Sequence, residues 1–76
     1  MEPFFYLADA ETGRPLARFP FATLTRELEI ISFEKWLRAK HHVDDPATGL
    51  DLRDSRLSPL PRDQWPPIDR SYFGKR

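Results

Sequence analysis

The chain has 76 residues, with twelve Lys and Arg against twelve Asp and Glu, eight prolines, no cysteine and 39% apolar side chains. That length suffices for one small domain whose core is limited, and the zero net charge removes the broad attraction that drives non-specific binding to nucleic acid or anionic membranes. Absence of cysteine excludes a disulfide framework, thiolate zinc sites, iron–sulfur ligation and thiol nucleophiles.

The first segment, Pro3 to Ala8, is dense in aromatic and aliphatic residues (Phe4, Phe5, Tyr6, Leu7) and predicts a strand. Asp9-Ala10-Glu11-Thr12-Gly13 then predicts a reversal, because Asp can accept hydrogen bonds from amides two residues on and Gly takes the positive φ that closes such a loop. A second strand is expected over about 15–20. Ala17 and Phe19 alternate there with Arg18 and Pro20, and Pro20, which cannot donate to a ladder, ends the strand or marks an edge.

The segment from Thr23 to His41 holds two apolar stripes. In one continuous helix, Leu24, Leu28 and Ile31 would line one side while Ile30, Phe33 and Leu37 lined a nearly opposite one, and so short a chain can hardly cover both. The expectation is therefore a break at Ser32, a good N-cap, with Phe33, Trp36 and Leu37 following on one face and Arg38, Lys40 and two His at the C-terminal end. Leu24 to Ile31 is then a short helix capped by Thr23 or Thr25, with a third strand as the alternative because Leu28 and Ile30 alternate with Glu27 and Glu29. Either way Leu28, Ile31, Phe33, Trp36 and Leu37 are expected to pack on the phenylalanine face of the hairpin.

Composition changes near His42. Five of the eight prolines (Pro46, Pro59, Pro61, Pro66, Pro67) fall in the last 31 residues. The Asp-x-x-Thr-Gly of the first turn recurs as Asp45-Pro46-Ala47-Thr48-Gly49, a second predicted reversal and too short a match to signify duplication. Beyond it, interleaved Asp and Arg with sparse Leu keep neither a helical stripe nor a clean alternation, and the proline spacing after Ser58 favours an extended polyproline conformation. The expected architecture is α+β: a small N-terminal β-hairpin packed on one or two helices over residues 1–43, with an extended Pro/Arg/Asp-rich C-terminal arm over 44–76 that docks on this unit or on a partner.

His41, His42, Asp44 and Asp45 are the one cluster with metal-ligand chemistry, but adjacent histidines at a helix end diverge and metal sites draw ligands from several segments, so neither a metal nor any other cofactor is expected. The serines at 32, 55, 58 and 71 have no flanking glycine of a nucleophile elbow, and no glycine-rich phosphate loop occurs. The chain is therefore not expected to be an enzyme. The arm carries residue types that dominate interface energies, so Arg56, Leu60, Arg62, Trp65, Ile68, Tyr72 and Phe73 are the expected partner-binding residues. The competing destination for Trp65 is its own domain, against Phe19, Phe21 and Trp36. An accessory subunit of a larger complex or a compact protein inhibitor is the leading expectation. A nucleic-acid-associated regulator using Arg26, Lys35, Arg38 and Lys40 is the alternative, though Glu27, Glu29 and Glu34 lie among those cations. No run approaches the ~20 apolar residues of a membrane span, and Met1-Glu2-Pro3 lacks the basic and apolar segments of a signal peptide, which points to a soluble cytoplasmic protein.

Overall fold

In a computed structural model describing residues 2–70, three strands and one helix form an α+β unit. Strand β1 (Phe4–Asp9) is central, flanked by β2 (Pro15–Pro20) and β3 (Leu50–Asp54), both antiparallel to it. Every residue from Phe4 to Ala8 is buried, the condition of a strand covered on both faces, and its unbroken apolar run has that cause. Phe5 and Leu7 face one layer, where they join Phe19, Phe21, Leu52 and the helix. Phe4, Tyr6 and Ala8 face the other, where Leu60 and Trp65 cover them.

Both Asp-x-x-Thr-Gly segments are reversals. Asp9 Oδ1 accepts from the N–H groups of Glu11 (2.8 Å) and Thr12 (3.1 Å), and Gly13 closes the turn at φ 77°. Asp45 accepts from Ala47 N–H at 2.9 Å, and Gly49 exits at φ 66° directly into β3. The two turns meet where Ala10 N–H donates to Gly49 O. The hairpin stands where expected, with Phe5 opposite Phe19 and Leu7 opposite Ala17.

Strand β3 was not anticipated. Leu50-Asp51-Leu52-Arg53-Asp54 offers one buried side chain, Leu52, set opposite Leu7. The remainder is held by backbone pairing to β1, which no side-chain pattern reports.

Helix α1 (Glu27–His41) runs through Ser32 without a break, correcting the expected division there. Ile30, Phe33 and Leu37 bury against the sheet, and Ser32 is exposed on the far side, where a mid-helix serine costs little. The helix starts later than Thr23 or Thr25 would have placed it. Arg26 is the N-cap, and its N–H donates to the Glu29 carboxylate at 3.4 Å. It ends at His42, whose φ of 54° lets Val43 N–H return to Arg38 O. Leu28 and Ile31, expected in the core, are instead 77% and 40% exposed.

Candidate interaction surface

The arm residues named above lie largely against this chain's own sheet. Trp65 meets Phe4 edge to face at 5.0 Å between centroids, and its indole N–H donates to Leu60 O at 3.1 Å. It therefore packs on the Phe4/Tyr6/Ala8 side, not on the Phe19, Phe21 and Trp36 side considered from sequence. The Arg18 and Arg62 guanidinium groups lie over the indole at 5.1 Å and 4.9 Å. Arg18 also fixes the chain that follows: its Nε donates to Pro66 O at 2.8 Å, its backbone N–H to Pro67 O, and its carbonyl accepts from Asp69 N–H. Ile68 bridges to Arg18 in parallel sense. Arg56 pairs with Asp54 at 2.7 Å and lies 5.1 Å from the Phe21 centroid. Tyr72 and Phe73 fall outside the described residues.

The second set is spread along α1. Arg26 and Lys40 are fourteen residues apart, about 21 Å at 1.5 Å per residue, with Lys35 exposed between them. Arg38 pairs with Glu34 (3.1 Å) and Asp44 (3.4 Å), and the Lys40 ammonium sits 4.9 Å from the Trp36 ring. Glu27, Glu29 and Glu34 separate Arg26 from the other three cations, and the four do not gather into one phosphate-binding patch.

The structure brings together a different surface. Ile30, Phe33 and Leu37 engage the sheet, so the opposite side of α1 presents Leu28, Ile31, Ser32, Lys35 and Ala39, all exposed. Beside that stripe Leu24, Leu28, Glu29, Ser32, Phe33 and Trp36 line an open, mainly apolar groove of about 560 Å³. The signal for this surface was present in the sequence as the second apolar stripe of a continuous helix.

His41 closes the other end of α1. Its ring lies 5.4 Å from Phe19, and its Nε2 is buried without a hydrogen-bond partner among the described residues. Burial holds its pKa below the usual histidine value; Lys40 adds to that shift and Asp69 opposes it. The hydroxyls whose bonds are described serve the fold: Ser55 Oγ accepts from Phe4 N–H, Tyr6 donates to Ser58 O, and Thr48 donates to the carbonyls of His42 and Asp45. Among the described residues no group of three or more His, Asp or Glu is placed to hold a metal ion, and no helix is long and apolar enough to cross a membrane.

Comparison of the chain with protein-family models, curated proteins and solved structures gave no match.

Proposed function

We propose that this chain is a non-catalytic, cytoplasmic protein-binding polypeptide, a small accessory subunit or compact inhibitor that lays the outer side of α1 against another protein chain. The observation that carries this reading is the pair Leu28 and Ile31, 77% and 40% exposed on a helix whose opposite stripe already fills the core. Neighbouring large aliphatic side chains held in water on a rigid element favour burial by about 25 cal/mol for each Å² removed from solvent. A helix fixed by its own core also loses little entropy on docking. The arm supports the same reading by bracing the far face of the sheet through Trp65 and Arg18.

Affinity purification from the native host with Leu28→Glu as the comparison tests it. A protein retained in stoichiometric amount by the wild type, lost with Leu28→Glu and kept with Leu57→Glu, supports the reading; Leu57 is 84% exposed but belongs to the turn after β3, not to α1. Absence of any such chain, an untagged second copy included, or retention indifferent to Leu28→Glu, overturns it.

A further inference from the structure

Charge along α1 is divided end from end. Glu27, Glu29 and Glu34 occupy its first eight residues, and Lys35, Arg38, Lys40 and His41 occupy the rest. At about 100° per residue, Glu27, Glu34 and Arg38 border the exposed stripe on one side, while Glu29 and Lys40 border it on the other. The stripe itself runs Leu28, Ile31, Ser32, Lys35, Ala39, with a large side chain near one end and the smallest at the other.

We infer that the occupant of this face is a second copy of the chain, its α1 packed antiparallel about a two-fold axis that crosses the exposed stripe between Ser32 and Lys35. The inference rests on the proposed reading of the stripe as a docking surface and names its partner. In that arrangement Glu27 of one copy faces Arg38 of the other, and Glu29 faces Lys40. Each pair occurs twice because the contact is isologous. The same axis sets Leu28 over Ala39, so the protruding leucine meets the shallowest point of the facing stripe. Ser32 lies beside Lys35, whose methylenes cover Ile31 while its ammonium reaches the rim. Parallel packing would set Glu27 beside the facing Glu29 and Arg38 beside the facing Lys40, like charge on like, so the charge order selects the antiparallel pair. Arg38 already contacts Glu34 and Asp44, but those are half-exposed pairs worth little singly, and sharing the guanidinium with a facing Glu27 costs little. A formal charge of zero puts no long-range repulsion between copies, and a chain of this size gains stability by association.

Sedimentation equilibrium of the full chain at low salt, from about 1 µM to about 1 mM, tests the assignment. The wild type should show a monomer–dimer equilibrium in that range, weakened by added salt, and Leu28→Glu should remain monomeric throughout. Two charge-swapped chains sharpen it. Glu27→Lys with Glu29→Lys makes both ends of α1 basic; Arg38→Glu with Lys40→Glu makes both ends acidic. Each should self-associate at least about tenfold more weakly than the wild type, and mixing them should give a one-to-one heterodimer. A wild type that stays monomeric at about 1 mM, a dimer indifferent to Leu28→Glu, or folded swapped chains that do not pair on mixing overturns the assignment. Circular dichroism establishes folding of each variant; should a swapped chain fail to fold, Leu28→Glu at its exposed site decides alone. A monomeric wild type that still retains a host protein in a Leu28-dependent manner refutes the second copy and leaves the docking reading standing.

Discussion

Ser55 sits where β3 ends, 3% exposed, and receives the Phe4 N–H on its hydroxyl at 3.0 Å while its own N–H donates to Phe4 O. Ser55→Ala leaves a buried amide at the edge of the central strand without an acceptor, so the substitution should cost about 1–3 kcal/mol, read as a lower urea midpoint with an unchanged slope. His41 makes a prediction of opposite kind. Its folded pKa lies below its unfolded value, chiefly through burial, so the folded chain binds fewer protons there than the unfolded one. The corresponding stability is fully present above the unfolded pKa of about 6.5 and falls as pH drops below it toward the lower folded value. Melting temperature should decline on going from neutral to mildly acidic buffer, and His41→Leu should flatten that decline. Asp9 is held below the usual carboxylate pKa by the Thr12 and Glu11 amides. Asp54 is held low despite its burial, because Arg56 hydrogen-bonds it. Both lend stability above the unfolded value of about 3.9 that is lost in stronger acid, so neither masks the histidine.

At the level of elements, α1 divides by face. Leu37 is fully buried, and Leu37→Ala should cost about 3 kcal/mol in a denaturant melt, whereas Leu28→Ala in the monomer should change stability by no more than about 0.5 kcal/mol. Trp65→Ala removes the half-buried ring between Phe4 and the Arg18 guanidinium and should destabilise the whole unit by about 2 kcal/mol, visible as an earlier thermal transition. The hairpin was legible because its parts are local: an aromatic run, an Asp turn closed by Gly13 and a proline stop at Pro20. The continuity of α1 was not, since its second apolar stripe, with Leu28 and Ile31 exposed, is left uncovered by the described residues. Strand β3 was not legible because its alternation is short, two leucines among three charges with only Leu52 buried, and its place is set by distant pairing to β1. The destination of Trp65 follows from the parity of β1. Phe4 and Tyr6 point away from Phe5 and Leu7, and an apolar run unbroken from Phe4 to Ala8 requires a cover on each side.

For the molecule as a whole, three layers follow: α1, the sheet, and the segment from Leu60 to Trp65, with the chain then turning along the outside of β2 as far as Asp69. The two rims of the sheet are consequently unequal. Along β2 the Arg18 amide and carbonyl are taken by Pro67 and Asp69, and two prolines in that stretch offer no donor for anything beyond. On the opposite rim β3 exposes Asp51 and half-exposes Arg53, charges that discourage a stray strand from zipping on. The C-terminal wrap thus works as a guard against runaway stacking. Peeled from β2, it would leave the Arg18 amide and carbonyl open to a foreign strand, with Pro15 and Pro20 alone to limit the pairing.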